Sequence, residues 1–172
     1  IQEAQAKFAA QEKNAAMAVI NDVGNLKDIH PNDKRTVAKR LSLHALRRNY
    51  GWKNVQNESP TLKSWKIEGN KFVLSFNNAD GFYLYNPDYT MKTAFGLCGA
   101  DGVWKPAKIA NLKVTGAPDR RRVLGPVDGN VIKVEADGVA QPKKLRYLYS
   151  APWFGSLYGE SGLPVGAFHI GD

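Results

Sequence analysis

The chain has 172 residues, of which 43% are hydrophobic, and a formal net charge of +8 at pH 7. It contains no run of about 18 consecutive apolar residues, so the sequence predicts no membrane-spanning helix. The single cysteine, Cys98, excludes an internal disulfide and a zinc site built from several cysteines. Sixteen glycines and nine prolines indicate a turn-rich chain with much β-structure.

Residues 1–55 are predicted to run as helix, strand, loop and helix. Residues 2–13 are rich in Ala, Gln, Glu and Lys, which favour helices. Residues 16–20 form a short continuous apolar run, which is typical of a strand buried on both faces of a parallel sheet. The chain opens without an initiator Met and without a signal peptide, so we expect a secretion signal to lie upstream.

The clearest predicted helix begins after Asn32 or Asp33, either of which can cap its N-terminus. Val37, Leu41 and Ala45 recur every four residues, which predicts an apolar stripe along one face. Gly51 then supplies a residue that can end the helix in a left-handed conformation.

The loop that carries Asp28 and His30 lies between the predicted strand and this helix. In open α/β sheets, ligands bind beyond the carboxyl ends of the strands, and this loop falls at that place. A single strand cannot form a sheet, however. We therefore expect residues 1–55 to be the last unit of a larger α/β domain or to pack against something else.

Residues 56–172 change character and are predicted to form an antiparallel β-sandwich of about seven or eight strands. Alternating segments separated by glycine-rich turns give the strand candidates, which are residues 62–67, 71–76, 94–98, 105–114, 131–135 and 145–150. The boundary between the two parts falls between Gly51 and Pro60.

The basic residues cluster in two places. One cluster lies on the predicted helix (Lys34, Arg35, Lys39, Arg40, Arg47 and Arg48), and the other is Arg120-Arg121-Arg122. No zinc-finger, helix-turn-helix or RNA-binding pattern accompanies them. We therefore interpret them mainly as solvated surface, with an acidic glycan or another polyanion as the alternative.

Asp28 and His30 are the candidate catalytic residues. A neutral imidazole can take a proton from a serine hydroxyl and return it to a leaving alcohol, and a nearby carboxylate fixes its tautomer. Spacing alone leaves an ordinary loop histidine beside a helix cap as the simpler interpretation. His44 is expected at the surface or a boundary, and His169 near the terminus is expected to have no catalytic role.

A complete catalytic triad is not expected inside this chain. None of the seven serines lies in a Gly-x-Ser-x-Gly elbow, and Ser161 in Glu160-Ser161-Gly162 comes nearest to it. The three histidines and one cysteine do not have the spacing of a metal site, and no phosphate-binding glycine loop occurs. The aromatic stretch from Tyr147 to Phe154, with Tyr158, fits either core packing or a surface on which sugars stack.

Several blocks of residues resemble the C-terminal part of the sialate O-acetylesterases, a carbohydrate-esterase branch of the SGNH (GDSL-like) hydrolases. The matching blocks include Ala4-Gln5-Ala6-Lys7, Met17-Ala18-Val19, Asp28-Ile29-His30-Pro31-Asn32-Asp33-Lys34, Arg40-Leu41, Tyr50-Gly51, Gly69-Asn70-Lys71, Phe76-Asn77-Asn78-Ala79, Gly99-Ala100-Asp101-Gly102, Leu145-Arg146-Tyr147 and Gly162-Leu163-Pro164. They cover nearly the whole chain in order. The Asp-Ile-His-Pro block is the most specific of them.

The resemblance implies an exported Ser-His-Asp esterase that removes acetyl groups from sugar hydroxyls without a metal or other cofactor. His30 would be the general base and acid, and Asp28 its carboxylate partner. The wider superfamily usually places the aspartate three residues before the histidine, where this chain has Lys27. Asp22 is therefore an alternative partner, or the triad reduces to a dyad. The family's serine and oxyanion-hole residues belong to earlier blocks that this chain does not contain.

Two hypotheses follow. In the first, the chain is the end of an SGNH-type three-layer α/β domain plus a β-sandwich, and a companion segment or chain supplies the serine that attacks an acetylated glycan. In the second, it is a non-catalytic glycan-binding or structural β-sandwich module. Neither hypothesis involves nucleic acid or a membrane as a partner.

Overall fold

The structure is a computed structural model of the chain. It describes residues 1–25, 27–30, 32–85, 93–113, 123–149 and 156–171. These residues contain two helices, α1 (Gln2–Gln11) and α2 (Lys34–Arg48). Eleven strands follow among them: β1 (Thr61–Glu68), β2 (Lys71–Asn77), β3 (Gly81–Tyr85), β4 (Phe95–Cys98), β5 (Trp104–Pro106), β6 (Lys108–Ile109), β7 (Val123–Asp128), β8 (Val131–Glu135), β9 (Lys144–Tyr147), β10 (Leu157–Gly159) and β11 (Phe168–Ile170).

The strands form three antiparallel sheets. The first has the order β1-β2-β8-β6, the second β10-β3-β7, and the third β11-β9-β4-β5. The predicted antiparallel β-rich body is confirmed, but the predicted count of seven or eight strands is too low for the described residues. The candidate at residues 105–114 is two short strands, β5 and β6, on either side of Ala107; Val114 lies outside the described residues, as do Arg120-Arg121-Arg122 and Ser150.

The core lies where the three sheets meet. Phe76 of β2 is 1% exposed, and its ring packs against Phe82 of β3 at 5.2 Å and against Phe168 of β11 at 5.9 Å between centroids. One residue of the first sheet therefore contacts both of the others. Tyr147 of β9 is buried in the same core and packs against Phe95 and Phe168. The packing interpretation is thus confirmed for Tyr147, while residues 150–154 of the aromatic stretch lie outside the described part.

The helices lie outside this core. α1 buries none of its side chains, and the buried residues of α2 are Arg40 and His44. Of the predicted apolar stripe of α2, Val37 and Ala45 are partly buried, while Leu41 is 54% exposed. Arg40 was interpreted as solvated surface and is instead 7% exposed, while His44, expected at the surface or a boundary, is 9% exposed. The helix ends were predicted better: Asp33 accepts a hydrogen bond from the Thr36 N–H at 2.9 Å, and Gly51 has a φ of +71°.

Residues 16–20 pair with no strand in the described part of the chain, so the strand expected there within a larger α/β domain stays a prediction. Side chains of α2 bind the carbonyls of this segment. Arg40 donates to the Val19 carbonyl at 2.8 Å, His44 Nε2 lies 3.2 Å from the Met17 carbonyl, and Arg48 donates to the Ala15 carbonyl. The segment consequently runs antiparallel to α2 along its polar face.

Candidate functional site

The loop between Asp22 and α2 presents His30 to solvent. Asp28 Oδ1 accepts a hydrogen bond from the His30 backbone N–H at 2.8 Å, and Asn25 Oδ1 accepts one from the Lys27 N–H at 2.9 Å. Both are local side-chain turns that stiffen a loop from within. Residues 27–30 are all exposed.

The structure brings Asp28 and His30 together through the backbone. Within the described residues the His30 ring makes no hydrogen bond, and the Asp28 carboxylate bonds to the His30 main chain and not to the imidazole. Asp28 Oδ2 accepts no hydrogen bond in the same residues. The His30 imidazole is therefore exposed to groups that approach from outside the loop.

Asp22, the alternative carboxylate, lies at the base of the loop and is engaged elsewhere. Its two oxygens each lie 2.6 Å from an Arg40 guanidinium nitrogen, and both side chains are 8% exposed. The Tyr158 hydroxyl donates a further hydrogen bond to Asp22 Oδ2 at 2.9 Å. This buried cluster of Asp22, Arg40 and Tyr158 spans 136 residues of sequence.

The electrostatics of the cluster keep the Tyr158 proton in place. Burial, followed by the negative charge of Asp22, raises the pKa of Tyr158 far above its usual range. The pKa of Tyr83 is raised by the same two causes in the same order. The two rings stack 5.2 Å apart at an angle of 6°. The raised pKa favours the protonated Tyr158 hydroxyl that donates to Asp22, and the Tyr158 ring stacks on Tyr83 of β3.

His44 is a buried histidine with a partner at each ring nitrogen. Burial lowers its pKa, and the Asn57 amide lies 3.2 Å from its Nδ1 while its Nε2 faces the Met17 carbonyl at 3.2 Å. This arrangement suits a neutral ring with its proton on Nε2. His169 is exposed and lies 2.8 Å from Glu3, which ties β11 to α1. Neither histidine contacts the His30 loop.

No described serine is hydrogen-bonded to His30. Ser161 Oγ accepts from the Leu163 N–H at 3.4 Å within a turn, and Ser42 donates to the Lys39 carbonyl. Cys98 is buried and donates to the Gly99 carbonyl, so it is no exposed nucleophile. The described residues therefore place no hydrogen-bonded serine or cysteine beside His30.

Two clefts elsewhere in the described residues are separate from the His30 loop. A cleft of about 630 Å³ lies between α1, residues 16–19 and residues 165–169, and a polar cleft of about 450 Å³ lies beyond the C-terminal end of α2. His30 lines neither cleft. In the part of the chain that the structure describes, no three His, Cys, Asp or Glu side chains group around a possible metal position, and no helix is long and apolar enough to cross a membrane.

Sequence reasoning missed the Asp22–Arg40–Tyr158 cluster. Arg40 stood among six basic residues of one predicted helix, and nothing local distinguishes it from its neighbours. One clue was available, because Asp22 is an acidic residue two positions after the end of the apolar run at residues 16–20. The hydrogen bond between Tyr158 and Asp22 joins residues 136 apart, so no local sequence pattern indicates it.

No family model matches this chain, and no curated protein matches it either. Solved structures do match. A carbohydrate acetylesterase from Xanthomonas citri is 30% identical over 98% of this chain, with a TM-score of 0.77. The match covers 34% of that protein, so the chain spans about a third of its length. The chain is thus similar in fold and sequence to part of a carbohydrate esterase.

Proposed function

We propose that this chain is part of a carbohydrate O-acetylesterase of the sialate type, which hydrolyses acetyl esters on sugar hydroxyls. One observation carries the proposal: the match to part of a carbohydrate acetylesterase covers 98% of this chain at 30% identity. The resemblance of the Asp28-Ile29-His30-Pro31 block to the SGNH hydrolases points in the same direction.

The proposed chemistry is acyl transfer through a serine. A serine hydroxyl attacks the acetyl carbonyl while the His30 imidazole takes its proton. His30 then gives the proton to the departing sugar oxygen, which leaves an acetyl-serine. Water, activated in turn by His30, releases acetate and restores the serine. Asp28 is the proposed carboxylate partner, and its bond to the His30 N–H keeps it next to the histidine.

The serine and the oxyanion-hole donors are proposed to come from a companion segment or chain of the same enzyme. The surface of residues 1–52 supports this, because many of its large apolar side chains are exposed: Ile1, Phe8, Ile20, Ile29, Leu41, Tyr50 and Trp52. Such a concentration of apolar surface is typical of an interface. Ile29, next to His30, is 89% exposed and would lie at the join.

In this proposal residues 1–55 complete an SGNH-type α/β domain, and residues 56–172 form the β-body that follows it. The substrate is an acetylated sugar or glycan, and the enzyme is exported to the periplasm or the medium. No cofactor has a step in the chemistry, because the serine, the histidine and water account for every bond made and broken.

The test uses the complete gene product that contains this chain. Acetate release from acetylated sialic acid and from acetylated xylan should be measured for the wild type, for His30→Ala and for His169→Ala as the matched histidine control. His30→Ala should lose about 100- to 10,000-fold in rate or more, while His169→Ala keeps its activity. Unchanged activity in His30→Ala would remove His30 from the mechanism. Glycan binding without any acetate release would favour the non-catalytic module.

A further inference from the structure

The buried cluster at the base of the His30 loop is made by two parts of the chain that are far apart in sequence. Asp22 and Arg40 bracket the loop, since one precedes it and the other lies on the helix that follows. Tyr158 comes from β10 in the β-body, and its hydroxyl lies 2.9 Å from Asp22 Oδ2. A second contact lies beside it, where the Asn21 amide donates to the Val165 carbonyl at 2.8 Å.

We propose that Tyr158, acting through Asp22 and Arg40, is a positioning residue for His30, so that the β-body sets where the catalytic loop stands. This inference rests on the proposed esterase function and extends it. The β-body would then be more than an appended module, because one of its hydroxyl groups is part of the support of the active site.

The hydrogen bonds inside the loop are too local to place it. The bonds from the Lys27 N–H to Asn25 and from the His30 N–H to Asp28 each join residues two apart. They shape the loop, but they do not fix it relative to the rest of the molecule. Its position must come from its two ends, and those are the places where Asp22 and Arg40 are held.

The Tyr158 hydroxyl is well suited to hold them. Its ring is stacked on Tyr83, and β10 pairs with β3 so that Tyr158 lies opposite Tyr83 in the register. A rigid ring on a paired strand presents its hydroxyl at a fixed point. The Asp22 carboxylate accepts hydrogen bonds from the two terminal guanidinium nitrogens of Arg40. Fixing Asp22 therefore fixes both the residue that precedes the loop and the helix that follows it.

The effect on catalysis follows from geometry. A displacement of about 1 Å of a catalytic group can cost about 100-fold in rate, even when the mutated residue is remote from the reaction. Substrate binding depends on other surfaces and should change little. Loss of the Tyr158 hydroxyl should therefore lower kcat and leave KM nearly unchanged.

Tyr158→Phe is the sharpest test because it removes one hydroxyl and keeps the ion pair and the stacked ring. Tyr83→Phe is the matched control, since it removes a hydroxyl from the same stacked pair without touching Asp22. In the complete enzyme, Tyr158→Phe should lower kcat by about 10- to 100-fold with KM within about twofold of the wild type. Tyr83→Phe should match the wild type in both.

Amide hydrogen exchange of the same variants separates positioning from general destabilisation. In Tyr158→Phe, exchange should speed up in residues 23–33 and stay unchanged in β2 and β8. Wild-type exchange in the loop, or equal acceleration throughout the β-body, would overturn the inference. A wild-type enzyme that releases no acetate would instead refute the proposed function, and the exchange data would still decide whether Tyr158 holds the loop.

Discussion

Replacing Asp22 with asparagine should lower the free energy of unfolding by about 3–5 kcal/mol, because it leaves the Arg40 charge buried without a counter-ion. Both side chains are 8% exposed, so water cannot take the place of the lost carboxylate. Asparagine keeps one acceptor oxygen, but its amide N–H groups then face a guanidinium that can only donate. The Tyr158 hydrogen bond accounts for a smaller share, about 0.5–1.5 kcal/mol.

Urea unfolding followed by tryptophan fluorescence measures this loss as a shift in midpoint at an unchanged slope. Glu58→Gln is the matched control, because the Arg48–Glu58 pair is 3.5 Å long and its side chains are 37% and 49% exposed. That substitution should cost no more than about 1 kcal/mol. If Asp22→Asn is as mild as Glu58→Gln, the reasoning about a buried, uncompensated arginine is refuted.

Two further predictions concern the core and the buried histidine. Phe76→Ala should cost about 3–5 kcal/mol, because the ring is 1% exposed and joins all three sheets. In calorimetry Val103→Ala, at a 52% exposed position, should leave the melting temperature almost unchanged. Burial lowers the pKa of His44, so its stabilising contribution is complete above the unfolded-state value of 6.5 and is lost as pH falls through the lower folded-state pKa. The wild type should therefore lose more stability than His44→Gln between about pH 7 and pH 5, and equal losses would contradict a neutral buried His44.

The elements predicted correctly are those whose signals are local. Asp33 caps α2 and Gly51 follows its end in a left-handed conformation, and both were visible as single residues of the right type. The strand candidates at residues 62–67 and 71–76, which correspond to β1 and β2, were visible as alternation on either side of a glycine-containing turn. In contrast, β10 and β11 are three residues long, which is too short for any alternation to stand out.

The errors arise where tertiary contacts override a local pattern. Leu41 belongs to an apolar stripe in the sequence, yet α2 turns its Arg40 and His44 side toward the chain because that side meets a row of carbonyls. The apolar run at residues 16–20 predicts a strand, and the sequence does not reveal that side chains of α2 contact its carbonyls. The Asp28/His30 loop could be found from its motif, whereas its support by Tyr158 could not.

The contacts between α2 and residues 15–19 depend on two nearly equal repeat distances along the helix and along the extended segment. Four residues of helix advance about 6.0 Å, and two residues of extended chain advance about 6.6 Å. Positions 40, 44 and 48 can therefore meet the carbonyls of residues 19, 17 and 15 one after another. Inserting or deleting one residue in α2 or in residues 15–19 would move the donor side chains out of register with the carbonyls. In evolution, length changes should accordingly be excluded from both segments, while the exposed positions between the contacts remain free to vary.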